Sequence, residues 1–325
     1  MAQVVHTTSQ AHDGRVALGH SPRHSILRGI WPAVLIETGA NGRIDLACLE
    51  RATAFYAQAA VHGVYTADTA SEFYCLEFDE WNDLATEFRR VTQAFQIPAG
   101  IGCTWTNQAG VLRRLARARE LKFNCVHLSQ PYWLLLNDEA QQVFWSAVGN
   151  EGGPQLPIIV YSGGQAQFPI DGPAIQRLRQ YCPTIAGTKT PGFDAVATNS
   201  LLCACDDLVH LVHETVLAPS VALGAAGCPS ALASISPAFM VRWFALLDSG
   251  NWAEAFEIQR RVNRFYDEAI VPLRARGYIV DKALAQLGGY PAMSRHPRPP
   301  YAAVPEESFR LLRAKAQLYL PDCFV

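Results

Sequence analysis

Short apolar runs alternate with longer amphipathic stretches along most of the chain. The runs are Ile30–Ile36, Gly63–Ala67, Ala99–Trp105, Cys125–Gln130, Pro157–Tyr161, Thr184–Lys189, Leu208–His213 and Val221–Gly227. Each is apolar on both faces, as a strand covered on both sides in a parallel sheet must be. Between them, Asp45–Val61, Asp79–Phe95, Asn107–Leu121, Asp138–Val148 and Asp171–Tyr181 carry apolar residues at helical spacing. Most of these stretches open with Asp or Asn, whose side chains accept from the unpaired N–H groups of a first helical turn. Strict alternation of strand and helix, eight strands long, predicts a closed (β/α)8 barrel. A doubly wound open sheet is the competing fold, but no G-x-G-x-x-G follows the first run.

Beyond Pro237 the strand signal stops. Pro237–Leu247, Trp252–Val271, Val280–Leu287 and Glu306–Leu320 read as helices, and Pro297, Pro299 and Pro300 interrupt the chain before the last. The expected organisation is a flexible arm over 1–28, a barrel over 29–236 and a helical region over 237–325 packed on the barrel. The arm is polar, lacks the apolar stretch of a secretory signal, and is expected to become ordered near Ile26.

Composition narrows the function classes. Half of the residues are hydrophobic, 17% are charged and the formal net charge is -2. That balance suits a core-forming protein and gives no basic excess for nucleic acid or an anionic membrane. No apolar run approaches the about 18 residues of a membrane span, so a cytoplasmic location is expected. The nine cysteines are scattered, mostly in apolar contexts, which suits buried reduced thiols. Cys203 and Cys205 form a lone C-x-C pair without the partners a tetrahedral zinc site needs, so no metal is expected.

In such a barrel, chemistry gathers where strands end. Candidates there are the turn Asp68-Thr69-Ala70-Ser71-Glu72, the segment Pro131-Tyr132-Trp133, Tyr161-Ser162, Lys189 and His213-Glu214. A lysine closing an apolar strand would be desolvated, which favours its neutral, nucleophilic amine. Such an amine attacks a ketone to form an imine, which then stabilises a carbanion beside it. Position alone equally allows an ion pair at the barrel rim. Tyr161, closing the neighbouring strand, is suited to proton transfer at the same centre, or to a core role. Thr69 sits in a turn of small residues suited to a carboxylate. Glu37 and His213 reach the mouth as candidate substrate contacts or as structural groups. Glu72 reads as a brace for its turn. Gly224 and Gly227 permit close backbone approach near the substrate.

Together these residues resemble the dihydrodipicolinate synthase / N-acetylneuraminate lyase family of Schiff-base-forming class I lyases. The opening from Gly29 to Trp81 is similar to the family's strand, G-x-I/V-D turn, helix and GTTGE motif, the last read here as Asp68-Thr69-Ala70-Ser71-Glu72. QPYW resembles the family's Pro-Tyr-Tyr, PIIVYSGG its strand ending in Tyr-Asn, and TIAGTKTPG its Gly-x-Lys strand, with Gly192 one residue early. Lys189 follows Tyr161 by 28 residues, the family's spacing. GAAGCPSALASISP resembles the glycine pattern of strand 8, and DKALAQLGG with HPRPP resembles the helical C-terminus. The similarity spans roughly residues 28–320.

The resemblance implies that Lys189 forms the Schiff base, that Tyr161 transfers protons above it and that Thr69 holds the substrate carboxylate. It also implies no cofactor beyond the covalent imine, and a homo-oligomer, a tetramer built as a dimer of dimers. Ala70, Ser71, Trp133, Ser162 and Gly227 fall at the family's substrate-binding positions. The departures matter. Ala70 and Ser71 replace the second threonine and the glycine of GTTGE, Trp133 replaces a tyrosine of the hydroxyl relay, and Ser162 replaces an asparagine. Ala166 stands where lysine-biosynthetic members place an arginine. These changes argue against lysine biosynthesis and leave imine chemistry possible in principle. The expected reaction is aldol cleavage or condensation with pyruvate or a related 2-oxo acid. The alternatives are dehydration of a 2-oxo-3-deoxy sugar acid and a non-catalytic binding or sensing homologue. Trp105, Trp133, Phe73 and Phe168 suggest an aromatic mouth and an aromatic or apolar aldehyde partner.

Overall fold

The structure is a computed structural model and describes residues 26–39, 42–161, 168, 170–191, 194–290 and 293–324. The predicted arm over 1–28 therefore lies almost wholly outside the described residues.

Eight parallel strands form one sheet: β1 Gly29–Ile30, β2 Val64–Thr66, β3 Ala99–Gly102, β4 Cys125–Leu128, β5 Ile158–Tyr161, β6 Ile185–Thr190, β7 Val209–Val212 and β8 Gly227–Cys228. Their order is β1-β8-β7-β6-β5-β4-β3-β2. The ring closes where Val34 N–H donates to the Tyr65 carbonyl at 2.7 Å and Tyr65 N–H donates to that of Pro32 at 3.1 Å. An open doubly wound sheet would leave those edges apart. The strands are buried along nearly their whole length, which explains why their sequence shows no alternation.

The outer layer comprises α1 Ala47–Gln58, α2 Phe78–Ala94, α3 Gln108–Glu120, α4 Asp138–Gly152, α5 Gly172–Tyr181, α6 Ala195–Ala204, α7 Leu217–Ala222 and α8 Pro237–Asp248. Asn107 and Asp171 cap α3 and α5 as expected, accepting from Gly110 and Ala174 N–H at 2.9 and 2.8 Å. At α4 the cap is Asn137, one residue earlier than expected. At α1 and α2, Asp45 and Asp79 are not the cap residues.

One expectation needs correction. The predicted eighth strand, Val221–Gly227, begins inside α7, and the strand itself is Gly227–Cys228. Helix α8, the first beyond residue 236, packs against β1 and α7.

Gly227 serves this closure. It pairs with Gly29, and a Cβ on it would lie 2.0 Å from the Gly29 carbonyl oxygen. Glycine is required there because two backbones meet, and Gly227 is not among the residues that line the cavity at the strand ends.

After α8, helix α9 Trp252–Phe265 runs through a π-helical turn, Tyr266–Ile270, into α10 Val271–Ala275. Then come α11 Asp281–Leu287 and α12 Glu306–Tyr319. The segment around α11 returns to the barrel mouth. Tyr290 OH accepts from Leu35 N–H at 3.2 Å, and Arg298 N–H donates to Glu72 at 2.8 Å. The C-terminal region thus forms part of the wall around the strand ends. Trp31, Trp81, Trp145 and Trp243 anchor the core. All nine cysteines are free; Cys203 is exposed and Cys205 buried, so the C-x-C pair points into two different environments. No described helix is long and apolar enough to cross a membrane.

Candidate active site

A cavity of about 590 Å³ opens at the C-terminal ends of the strands, the end at which barrels of this kind carry chemistry. Lys189 and Tyr161 are directly paired across β5 and β6. Equivalent positions on neighbouring strands point to the same side, and both residues line the cavity. The Lys189 ammonium sits 4.2 Å from the centre of the Tyr161 ring. Thr69 opens a 3-10 turn, Thr69–Ser71, that follows β2. Its hydroxyl donates to the Tyr161 phenol oxygen at 3.3 Å, linking three predicted catalytic residues in space.

The environment of Lys189 differs from the expectation of a neutral amine. Its Nζ donates to Asp68 Oδ2 at 2.7 Å and to Tyr65 OH at 3.3 Å. Burial works against the lysine's charge, but the Asp68 carboxylate and the Tyr65 and Tyr161 phenols outweigh it and raise its pKa above the ordinary value. The resting side chain is therefore an ammonium, because the barrel provides a counter-charge and not merely an apolar wall. Asp68 also suffers from burial, yet Lys189 and a hydrogen bond from His127 hold its carboxyl well below the usual carboxylate range. His127 Nδ1 lies 2.9 Å from Asp68 Oδ2. Burial lowers the pKa of this histidine, so a neutral ring donating through Nδ1 satisfies the carboxylate. Tyr161 is shifted upward by its burial, more than Lys189 lowers it, and stays a phenol.

The other predicted site residues separate into three groups. Ala70 and His213 line the cavity. Ser71, Glu37 and Trp133 are not among the residues that line it. The Ser71 hydroxyl is committed to the Val34 carbonyl at 2.9 Å. Glu37 accepts from Ser294 N–H and Oγ at 2.9 and 2.7 Å, tying the C-terminal segment to the barrel. Trp133 is 81% exposed, away from the cavity, beside Leu134 and Leu135 at 74% and 68%. Ser162, Ala166 and Gly192 lie outside the described residues. The aromatic mouth is present, but Phe73 is the only one of its four proposed members on the wall, joined there by Tyr74, Tyr132, Tyr278 and Tyr301. Phe168 is buried elsewhere, and Trp105 stacks on Arg114 at 3.9 Å.

Glu72 braces its turn from beneath. Fully buried, it pairs with Lys282 at 3.0 Å and accepts from Arg298 N–H. Glu214 is similarly committed, accepting from Ala231 and Leu232 N–H at 3.1 Å each and from Tyr266 OH at 2.7 Å. Sequence reasoning placed Asp68 in a candidate turn without giving it a role, and passed over His127 and Tyr65. The available signal was Asp68 itself, a carboxylate at the first position of a motif whose counterpart there is glycine.

Residues 26–318 match the profile of the Dihydrodipicolinate synthetase family. The chain belongs to this family. Its named members include lyases. An uncharacterized DapA-like lyase of Thermococcus kodakarensis is 23% identical over 304 residues, covering 89% of this chain and 98% of that protein. Among solved structures, a prophage protein of the dihydrodipicolinic acid synthase family from E. coli K12, in complex with pyruvate, superposes with a TM-score of 0.80. It is 20% identical, over 90% of this chain and 98% of that one. The Ruminococcus gnavus sialic acid aldolase superposes equally, with a TM-score of 0.80 and 16% identity, over 92% and 98% of the two chains. The barrel fold and its C-terminal helices are thus those of the family.

Proposed function

We propose that the protein is a class I lyase that joins the Lys189 amine to the carbonyl of pyruvate or a related 2-oxo acid, and makes or breaks a carbon–carbon bond beside it. The observation that carries this reading is the shared position of Lys189 and Tyr161 on one cavity wall, with the ammonium 4.2 Å from the phenol ring. Both groups reach a single ketone bound between them. Imine formation converts the carbonyl into an electron sink, and Tyr161, hydrogen-bonded by Thr69, is placed to pass protons at the same centre. Thr69 contributes its hydroxyl to the end of the cavity where the substrate carboxylate lies, while Ala70 contributes a methyl where a second hydroxyl would add a donor. No further cofactor is needed for this chemistry. Pyruvate bound to the E. coli prophage protein and the aldolase activity named for the Ruminococcus gnavus protein support the choice of substrate and reaction.

The reading does not extend to lysine biosynthesis. Ala70 removes one hydroxyl and Trp133 turns away from the cavity. A cavity of about 590 Å³ holds far more than a three-carbon acid. Its outer wall of Tyr74, Tyr132, Tyr278 and Tyr301, with Arg274 and Asp281, suits a larger second reactant with both apolar and polar groups. Dehydration of a 2-oxo-3-deoxy sugar acid begins from the same imine and differs only in the group that leaves; product analysis separates it from aldol cleavage. The run Trp133-Leu134-Leu135, exposed in the single chain, supports assembly into a homo-oligomer, a dimer of dimers in this reading. The decisive experiment is borohydride reduction in the presence of pyruvate. A reduced adduct on the peptide containing Lys189 is expected, and its absence would overturn the assignment.

A further inference from the structure

We infer that Asp68 is a catalytic residue in this chain: the proton acceptor that frees the Lys189 lone pair and then returns the proton to the departing oxygen. The inference rests on the Schiff-base reading above and adds a step to it. Lys189 begins as an ammonium, which cannot attack a carbonyl. Asp68 Oδ2 lies 2.7 Å from its Nζ, along a hydrogen bond already formed. The transfer needs no solvent, and both side chains are nearly excluded from it, at 9% and 1% exposed.

The step balances. One proton moves from Nζ to Asp68, and the free amine adds to the ketone carbon. The carbonyl oxygen takes up a second nitrogen proton as the carbinolamine forms. The proton held on Asp68 then joins that hydroxyl, the C–O bond breaks, and water leaves. The product is a protonated imine with one proton on nitrogen, and Asp68 is again a carboxylate, now its counter-ion. Asp68 is held for this task from two other sides. Thr69 N–H donates to Oδ1 at 2.8 Å, and the His127 ring donates to Oδ2 at 2.9 Å. His127 Nε2 is buried and has no hydrogen-bond partner among the described residues, so Asp68 is the ring's hydrogen-bond partner, with the Tyr65 ring packed at 4.7 Å. His127 is thus a positioning residue. The ionisable groups facing Asp68 are Lys189 on β6, His127 on β4, Tyr65 on β2, Tyr161 on β5 and the Cys103 thiol just after β3.

The test is the rate of the reducible pyruvate adduct on Lys189, by rapid quench into borohydride, in the full-length protein. In the wild type the rate is expected to be flat between about pH 6 and pH 9, because the proton stays within the pair. In Asp68→Asn it should fall about a hundredfold and rise with pH, because solvent must take the proton. A purely structural counter-charge predicts the opposite, since its removal favours the neutral amine and speeds attack. An Asp68→Asn rate equal to or above the wild type, with wild-type adduct present, overturns the role of Asp68 alone. Absence of any wild-type adduct overturns the Schiff-base reading and this inference with it. If Asp68→Asn does not fold, the wild-type profile decides: a rise of about tenfold per pH unit means solvent deprotonation and overturns the inference. His127→Asn, whose amide can donate in place of Nδ1–H, should keep the flat profile, and His127→Leu should lose it. A flat profile in the leucine variant overturns the positioning role.

Discussion

Replacing Lys189 by methionine tests the buried charge cluster through stability, independently of turnover. Methionine keeps the unbranched stem, one atom shorter, and removes its charge. What remains is Asp68, 1% exposed, hydrogen-bonded by Thr69 N–H and His127 but without a cationic partner. Removing one partner of a buried ion pair costs about 3–5 kcal/mol when the other charge stays unpaired. The site has two ways to lessen that cost. Protonating Asp68 at pH 7, from an ordinary value near 3.9, costs about 4 kcal/mol. Charging His127, ordinarily near 6.5, costs about 0.7 kcal/mol at the same pH. That route also leaves a buried N–H on Nε2 without a partner, which adds about 1–3 kcal/mol. The histidine route is cheaper. The expected loss for Lys189→Met is therefore about 2–4 kcal/mol at pH 7.

The pH dependence has a definite sign. In the wild type, Lys189 is raised and Asp68 lowered. The contribution of that pair is thus constant from about pH 4, the ordinary carboxyl value, to about pH 10, the ordinary amine value. In the variant, burial still lowers His127, but the lowering effect of Lys189 is gone and the raising effect of Asp68 persists, so the unpaired carboxylate is expected to draw a proton onto the ring. A histidine raised above its ordinary value contributes fully below about pH 6.5 and loses that contribution as pH rises. The deficit of Lys189→Met should therefore widen between about pH 6 and pH 8, by about 1–2 kcal/mol. Urea unfolding at both pH values measures it. Lys189→Met/Asp68→Asn should recover most of the loss, since both charges are absent. A single variant within about 0.5 kcal/mol of the wild type at both pH values, or a double variant no more stable than the single, would refute the reasoning.

Other outcomes follow from particular contacts. Tyr161→Phe should still trap pyruvate on Lys189 but lose about 10²–10⁴-fold in kcat, the usual worth of a proton-transfer group; steady-state kinetics beside the trapping assay separates the two effects. Lys282→Met removes the partner of the fully buried Glu72, so urea unfolding should show a loss of about 3–5 kcal/mol. Trp133→Asp together with Leu135→Asp should lower the molar mass in sedimentation velocity below that of the wild-type assembly, because it places charge in the exposed apolar run; an unchanged mass would mean that this surface is not a subunit contact.

The barrel was legible because its strands are covered on both faces, so each reads as an unbroken apolar run. The eighth was misplaced for a physical reason. Val221 and Ala222 are apolar because they belong to a short helix, α7, on the barrel's outside, and a two-residue strand between glycine-paired backbones needs no apolar run of its own. Helix starts were half legible. Asn107 and Asp171 accept the N–H bonds expected of them, but a carboxylate inside the first turn, such as Asp79, meets the same sequence criterion without capping anything.

The site shows a sharper boundary. Tyr161 and Lys189 were recoverable because both end adjacent strands, and parallel pairing brings such positions together whatever lies between them. The state of Lys189 was not recoverable, since it depends on groups from two other parts of the chain, residues 65 and 68 around the end of β2 and residue 127 on β4. Reading the strand alone gives an apolar surround and a neutral amine; closing the barrel brings in a carboxylate and gives a charged one. The same closure accounts for the loss at Ala70. A turn one hydroxyl short at Ala70 carries, two residues earlier, an acid beside the lysine amine. Relative to the GTTGE pattern, the change is thus more than an erosion. In the proposed mechanism it moves a polar group from the substrate's acid to the lysine itself, where it would act on the making of the imine.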